Sequence, residues 1–344
     1  MKVTREVFGQ LPDNGEASLF TAINPDGLQL KVSNYGGIIQ SILVPDKKGI
    51  FTDVVLGFDT LEGYLEDHPF IGTLVGRYAN RIARGQFTLE GTDYKLARNN
   101  GGNHLHGGLK GYDKVLWEAA EFADDNGAGV TLTYLSHDME EGYPGNLKVR
   151  VTFTLDKENQ VCIDYKATSD SPTPINLTHH GYFNLGGGSS AVYDHELMID
   201  SDHYVVGDAE LIPTGEIGSL DGSPLDFRTP KLIGSDINNV EGGFDHCYVL
   251  GDVTEDPRFA ARVVHPPSGR VMEVLTTEPG VQFYSSNFLE GLTGKGGQSY
   301  NKHQALCLET QHFPDSPNHP EFPTTILRPG ETYTQKTIYK FSTR

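Results

Sequence analysis

Three side chains capable of acid–base chemistry stand in unusual surroundings along the sequence. Glu309 closes an apolar run, residues 305–308, that is typical of a buried strand. Burial disfavours the charged form of a carboxylate, so this residue could accept a proton near neutral pH. His106 stands in a Leu-His-Gly-Gly sequence, and His180 precedes Gly-Tyr-Phe-Asn-Leu. One acid and two imidazoles indicate a site for proton transfer.

Two further histidines, His104 and His179, raise other possibilities. If His104-Leu105-His106 is extended, its two imidazoles share one face, as in many metal sites of β-barrels. The glycines that follow favour a loop at least as strongly, and no spacing supplies a third ligand, so a metal site is not predicted. On a strand, His179 and His180 point to opposite faces, so at most one of them serves a given pocket.

Three polar residues have two open interpretations each. Arg81 lies among apolar residues, where its guanidinium could bind sugar hydroxyls or a carboxylate, or could form a structural ion pair. Asp245 follows a glycine and Phe244, which favours a turn cap over a ligand to vicinal hydroxyls. Gln282 alternates with Val281 and Phe283 and therefore points to solvent or to a polar cleft.

Composition narrows the class of protein. The 344 residues include 27 Lys and Arg against 46 Asp and Glu, which gives a net charge of −19. This charge disfavours the binding of nucleic acid, anionic membranes and highly phosphorylated substrates. The three cysteines have no Cys-x-x-Cys spacing, and their apolar neighbours are typical of reduced core thiols in a cytoplasmic protein. The first residues contain no apolar leader, and no stretch is long enough to span a membrane, so secretion and membrane insertion are not expected.

Hydrophobic periodicity predicts an all-β fold. Apolar residues alternate along 147–155 and 161–165 around a polar turn, which predicts a hairpin, and further hairpins are predicted with turns at 90–93 and 266–269. Helical spacing is confined to a short segment after Asp59-Thr60. Forty glycines and nineteen prolines punctuate many short strands. Without any linker composition, we expect one antiparallel domain over residues 1–344, a sandwich or a barrel.

Six motifs resemble, in order and spacing, those of the aldose 1-epimerases, also called galactose mutarotases. The resemblance covers almost the whole chain. The motifs are Gly76-Arg77-Tyr78-Ala79-Asn80-Arg81-Ile82, Leu105-His106-Gly107-Gly108, Glu141-Gly142-Tyr143-Pro144-Gly145, His180-Gly181-Tyr182-Phe183-Asn184-Leu185, Gly243-Phe244-Asp245-His246 and Cys307-Leu308-Glu309-Thr310-Gln311.

The resemblance implies a large antiparallel β-sandwich, the galactose mutarotase-like supersandwich, with few short helices. It implies an enzyme that needs no cofactor or metal and interconverts the α and β anomers of free hexoses such as glucose and galactose. In this family pattern Glu309 is the base at the anomeric hydroxyl, His180 is the acid at the ring oxygen, and His106 lies beside that oxygen. The residues that would position hydroxyl groups are Asn80, Arg81, Tyr182, Asp245 and Gln282.

The sequence departs from the family pattern at two histidines, and other functions compete with the one that the resemblance implies. His179 replaces an asparagine that is common in the family, and His104 is an additional histidine. Competing functions are a hexose-phosphate mutarotase, a glycoside hydrolase that would use Asp245 and Glu309 as its two carboxylates, and a non-catalytic sugar-binding protein. A monomer or weak homodimer is expected.

Overall fold

The computed structural model describes residues 1–344, and antiparallel strands dominate it. In chain order the strands are β1 (Lys2–Gln10), β2 (Glu16–Ile23), β3 (Gln29–Ser33), β4 (Ile39–Pro45), β5 (Phe51–Asp53), β6 (Leu74–Val75), β7 (Arg81–Ile82), β8 (Gln86–Leu89), β9 (Thr92–Lys95), β10 (His104–Leu105), β11 (Glu118–Ala123), β12 (Gly127–Ser136), β13 (Leu147–Asp156), β14 (Gln160–Ser169), β15 (Thr173–Pro174), β16 (Thr178–His179), β17 (Glu196–Ile199), β18 (His203–Gly207), β19 (Pro213–Ser219), β20 (Lys231–Leu232), β21 (Asp245–Val249), β22 (Arg258–His265), β23 (Arg270–Thr276), β24 (Gly280–Tyr284), β25 (Glu290–Thr293), β26 (Ser299–Asn301), β27 (Cys307–Gln311), β28 (Ile326–Leu327) and β29 (Tyr333–Thr343).

Helical structure is sparse, as the sequence predicted. The short helix expected after Asp59-Thr60 is confirmed as α1 (Glu62–Leu65). The other helical segments are single 3-10 turns at Ala83–Gly85, Tyr112–Lys114, Glu140–Gly142, Val192–Asp194, Ile233–Ser235, Ile237–Asn239, Lys295–Gly297 and Ser316–Asn318. None of these helices has the length and apolar character needed to traverse a lipid bilayer.

Three large sheets form the body of the molecule, and the predicted all-β sandwich is confirmed. A nine-stranded sheet has the order β11-β12-β13-β14-β29-β23-β22-β17-β20, and two five-stranded sheets have the orders β1-β2-β3-β4-β5 and β19-β18-β21-β24-β27. Buried side chains from all three sheets join one hydrophobic cluster of 53 residues, which extends from Phe20 to Phe341. The sheets therefore pack face to face around a shared core.

The three predicted hairpins are confirmed. β13 pairs with β14 so that Leu155 faces Val161, and β22 pairs with β23 across the turn at 266–269. The β8–β9 turn is tighter than expected, because only Glu90 and Gly91 lie outside the strands, with φ of 51° and 80°. Positive φ at both positions is the two-residue turn that matches the strand twist, so residues 92 and 93 already belong to β9.

Strict alternation in β24 and β27 separates a core face from an outer polar face. Val281, Phe283 and Leu308 enter the main core, whereas Gln282 and Glu309 face each other across the two strands on the opposite side. The hydroxyl of Tyr339, from the nine-stranded sheet, donates to the carbonyl of Leu308 at 3.2 Å. The core thus fixes β27 from behind, and Glu309 projects from its other face.

β13, an interior strand of the nine-stranded sheet, offers a test of this packing. Phe153 is fully buried in the main core, and we expect Phe153→Ala to lower the free energy of unfolding by about 3–5 kcal/mol through the lost contacts and the cavity left behind. Its neighbour Thr154 points to the other face and is only partly buried, so Thr154→Ala should cost at most about 0.5 kcal/mol. Urea unfolding measures both, and equal losses would contradict the assigned faces.

Candidate active site

The outer face of β21, β24 and β27 forms one wall of a cavity of about 210 Å³. Seven of the eight residues predicted for the site line this cavity. Gln282 lines an adjoining cavity of about 190 Å³ that shares Asn80, Arg81 and Asp245 with the first. The complete lining of the first cavity is Pro69, Phe70, Asn80, Arg81, Asn100, Leu105, His106, His180, Tyr182, Asp245, Tyr284, Phe288 and Glu309.

Glu309 and His180 lie side by side at the bottom of the site. Glu309 Oε1 is 3.7 Å from His180 Nε2, and both residues are buried. Burial, with a smaller contribution from Asp245, raises the pKa of Glu309 well above its usual range, although the Arg81 charge opposes this. Burial lowers the pKa of His180 to about 3. An ionised Glu309 is therefore a strengthened base, and a protonated His180 is a strengthened acid.

The backbone of Asn80 fixes the tautomer of His106. The Asn80 N–H donates to His106 Nδ1 at 3.1 Å, and burial holds the pKa of His106 well below its ordinary value. The ring is then neutral with its proton on Nε2, ready to donate a hydrogen bond. Both residues have left-handed backbones, with φ of 62° and 50°, which lets them exchange this bond and a 3.1 Å main-chain bond.

A close approach of two loops holds His106 in this position. Gly107, which follows it, has a φ of 87°, and a Cβ at this position would lie 1.9 Å from the carbonyl oxygen of Gly76. Only glycine fits there, so the loop that carries His106 rests directly on the loop that leads to Asn80.

Arg81, Asp245 and Gln282 form a connected polar group. Gln282 Nε2 donates to Asp245 Oδ1 at 2.6 Å, and an Arg81 Nη2 lies 4.0 Å from Asp245 Oδ2. The Arg81 Nε donates to the side chain of Asn100 at 3.2 Å. Asp245 opens β21 and contacts other strands, so it is not the turn cap that its sequence favoured.

Two unpaired oxygens complete the polar character of the site. Gln282 Oε1 and Glu309 Oε2 are buried and make no hydrogen bond to the protein. Because a buried acceptor without a donor is costly, these atoms are suited to hydroxyl groups of a ligand.

Tyr182 packs against the imidazole of His180 rather than presenting its hydroxyl to the cavity. Its ring stacks on His180 with the centroids 4.9 Å apart and the planes 14° from parallel. Its hydroxyl donates to the carbonyl of Pro69 at 2.8 Å. A direct bond from this hydroxyl to a sugar stays a prediction, whereas its stacking on the imidazole is part of the fold.

The two additional histidines lie outside the cavity. β10 ends at Leu105, and the left-handed φ of His106 turns the chain, so His104 and His106 do not share a face as an extended segment would require. Instead His104 bonds the Ala97 carbonyl at 2.8 Å and the Tyr143 hydroxyl at 2.6 Å. His104 and His106 therefore lack the common face that a metal site on these two histidines would need.

His179, on β16, points into the core as the alternation predicted. Its ring meets Phe153 edge-on with the centroids 5.9 Å apart, and neither ring nitrogen makes a hydrogen bond. Since His180 follows β16 and lies in the cavity, the two neighbouring imidazoles point in opposite directions.

One group in the cavity could ligate a metal ion. Ligand atoms of His106, His180 and Glu309 all lie within 4.8 Å of one another, and a second such group consists of Asp194, His195 and His265. In the second group His195 Nε2 already accepts the Leu185 N–H at 3.0 Å. The prediction that the site works without a metal stays a prediction, which chelation can test.

The sequence and the fold both match a known family. The sequence model of the aldose 1-epimerase family matches residues 18–340. The chain belongs to the aldose 1-epimerase family. The isomerase class predicted from the sequence is thereby confirmed.

Relatives match over nearly the full length. A galactose mutarotase from Bos taurus is 49% identical, with 99% of each chain covered, and an aldose 1-epimerase from Escherichia coli K12 is 37% identical, with 96% of each covered. Among solved structures, an aldose epimerase homologue from C. elegans has a TM-score of 0.88 at 33% identity, covering 95% of this chain and 99% of its own. A galactose 1-epimerase from Lactobacillus acidophilus has a TM-score of 0.87 at 28% identity, covering 99% of both.

Several residues that line the cavity were not predicted from the sequence. Phe70, Asn100, Tyr284 and Phe288 line the cavity, and none was predicted. Tyr284 could have been found, since it lies two positions after Gln282 on the same strand and must share its face. The others lie in loops, where sequence gives no direction for a side chain.

The buried ring of His179 predicts an acid-sensitive fold. Burial lowers the pKa of His179 to about 3, so below about pH 6.5 the unfolded chain binds a proton that the folded chain excludes. Stability should then fall by about 1.4 kcal/mol per pH unit for this group, until the pH reaches the folded pKa. We expect His179→Asn to flatten the dependence of unfolding free energy on pH between about 6.5 and 5.

The control for this experiment is His203→Asn. His203 is exposed, so this variant removes an imidazole without changing the core. Identical slopes for the His179 variant and the unsubstituted protein would show that burial of this imidazole does not govern acid stability.

Proposed function

We propose that this protein interconverts the α and β anomers of free hexoses, glucose and galactose among them, with Glu309 as base and His180 as acid. The observation that carries the proposal is the 3.7 Å separation of the two groups. In a cyclic hexose the anomeric hydroxyl oxygen O1 and the ring oxygen O5 are bonded to the same carbon. A base for one oxygen and an acid for the other must therefore be neighbours.

Ring opening begins with Glu309 ionised and His180 protonated. Glu309 takes the proton from O1, whose electrons form the C1–O1 double bond while the C1–O5 bond breaks. O5 keeps the electron pair of that bond and takes the proton from His180. One proton has moved from the imidazolium to the carboxylate through the sugar, and the resulting neutral acid and neutral imidazole are the forms that burial favours.

Ring closure reverses these transfers on the other face of the aldehyde. Rotation about the C1–C2 bond presents the opposite carbonyl face to O5. O5 then returns its proton to His180 and attacks C1, while Glu309 protonates the new O1. The Nε2–H of His106 would donate to the ring oxygen, and the polar group of Arg81, Asp245 and Gln282 would hold the remaining hydroxyls, with Asn80 beside it.

The electrostatics of the cavity favour free hexoses over the competing substrates. The one arginine that lines the cavity lies beside Asp245, and Glu309 adds a second acid, so no spare positive charge is present for a phosphate. A glycoside hydrolase would need Asp245 as a catalytic carboxyl, yet its two oxygens already face Gln282 and Arg81. A binding module would have no use for a buried acid beside an imidazole.

We also propose that residues 1–344 act as a single domain in the cytoplasm, as a monomer or weak homodimer. Support for one domain is the shared core, which draws on strands from both ends of the chain. Support for a reducing compartment is that all three cysteines are free, and two of them are buried.

Removal of the base should abolish most of the activity. Glu309→Gln preserves shape, so we expect the enzymatic change in optical rotation of fresh α-galactose to slow by about 10²- to 10⁴-fold with the fold intact by circular dichroism. A Glu309→Gln variant with nearly normal turnover would show that Glu309 is not the base.

The unsubstituted protein should keep its rate after treatment with a chelator. It should also release no reducing sugar from glycosides.

The adjacent histidines provide a matched pair for the acid. We expect His180→Asn to lose turnover to a similar extent, because the proton donor for O5 is gone. His179→Asn should retain turnover, since that ring lies in the core. Polarimetry decides between them, and loss of activity with the His179 variant alone would reverse the assignment.

The pH dependence follows from the opposed pKa shifts. The pair holds one proton in total between the lowered pKa of His180, about 3, and the raised pKa of Glu309. We therefore expect kcat/KM for galactose not to decrease as the pH falls from about 7 to about 5. An acidic limb centred at the ordinary histidine value of about 6.5 would contradict this account of the pair.

A further inference from the structure

Phe288 is the most solvent-exposed large hydrophobic side chain of the protein, at 70%, and it lies on the rim of the cavity that holds Glu309 and His180. An aromatic ring left in water forgoes the favourable free energy that its burial would contribute. Isolated exposed hydrophobic residues are common and need no explanation by themselves. The surroundings of Phe288 decide whether it has a role.

The loop that carries Phe288 is firmly anchored. The side-chain amide of Asn287 donates to the carbonyl of Phe244 at 2.9 Å, and Asn287 is itself 9% exposed. The hydroxyl of Ser286 donates to the carbonyl of Ala305 at 2.8 Å. These bonds tie the residues just before Phe288 to two different segments, so the exposed position of its ring is built into the fold.

Phe288 also continues an aromatic series that starts at the proposed acid. The ring of Tyr284 meets His180 edge-on with the centroids 6.1 Å apart, and Phe288 stacks on the outer side of this series, 6.1 Å from Tyr284 and 25° from parallel. The backbone N–H of Phe288 donates to the Tyr284 hydroxyl at 3.2 Å. Both the ring and the backbone of Phe288 therefore contact Tyr284, whose side chain lines the cavity.

A pyranose presents two kinds of surface to such a site. Its hydroxyls project around the edge of the ring, where the buried polar groups of the cavity can bond them, while the ring faces carry carbon–hydrogen groups. An apolar face needs an apolar partner to leave water, and aromatic side chains supply one in ligand sites that also hold a few polar groups. The buried polar groups of the cavity can bond the hydroxyls, and the exposed ring of Phe288 can pack on the carbon–hydrogen face.

We propose that Phe288 is a sugar-binding residue whose ring is a platform, on which the carbon–hydrogen face of the hexose stacks at the mouth of the cavity. This inference rests on the proposed function, because the ligand is the same reacting pyranose. The ring of Phe288 takes no part in the proton transfers, so we expect its contact to be similar in substrate and transition state. Such uniform binding governs KM more than kcat.

Steady-state polarimetry with Phe288→Ala tests the platform. We expect KM for galactose to rise roughly tenfold, with a much smaller change in kcat. Phe288→Tyr keeps the ring and should restore KM to within about twofold. Leu109→Ala removes a comparably exposed side chain, 65% exposed, that does not line the cavity, and it should leave KM unchanged. An unchanged KM in the Phe288→Ala variant would overturn the proposal.

The single tryptophan of the chain makes a direct binding test possible. Trp117 is 1% exposed and does not line the cavity, so Phe288→Trp would add one exposed indole at the rim. Stacking on galactose should shift its emission to shorter wavelength, saturating at sugar concentrations near KM, whereas sorbitol, which has no ring, should produce no shift.

This titration separates the platform from the reaction. A protein that fails to speed mutarotation while its Phe288→Trp variant still responds to galactose would refute the proposed activity but retain the platform. If the emission wavelength of the Phe288→Trp variant does not change with galactose although the enzyme is active, the platform alone is refuted.

Discussion

The structure depends on keeping a carboxyl group and an imidazole side by side and out of water. Glu309 and His180 are 3.7 Å apart, and burial pushes the pKa of the acid up and that of the imidazole down. Burial thus destabilises the charged form of each group, so the ionised carboxylate is a stronger base and the protonated imidazole a stronger acid. An exposed pair would lose this property, because water would stabilise both charged forms.

The sandwich supplies that burial through ordinary strand geometry. Alternation along β27 sends Leu308 into the main core and Glu309 to the opposite face, where the cavity lies. His180 is oriented by stacking on Tyr182, and His106 is held in one tautomer by the backbone of Asn80. The functional groups are therefore fixed by contacts already present before a sugar arrives, which lowers the cost of ordering the site during the reaction.

Much of this arrangement could be predicted, and the missing parts have physical causes. Period-two patterns predicted the hairpins and the opposite directions of His179 and His180, because alternation is a local property of strands. The position of His104 was not predictable, since a single left-handed residue at His106 ends the strand. The positions of Phe70 and Phe288 at the cavity were not predictable, because aromatic residues fill cores as readily as they line cavities, and only long-range packing separates the two.

The central claim, that Glu309 and His180 act as one acid–base pair on the same sugar, can be examined with a double variant. Polarimetry of galactose gives the turnover of Glu309→Gln, of His180→Asn and of the protein that carries both changes. We expect the double variant to lose hardly more turnover than either single variant, because each group transfers its proton only together with the other. Losses that multiply in the double variant would contradict the pairing.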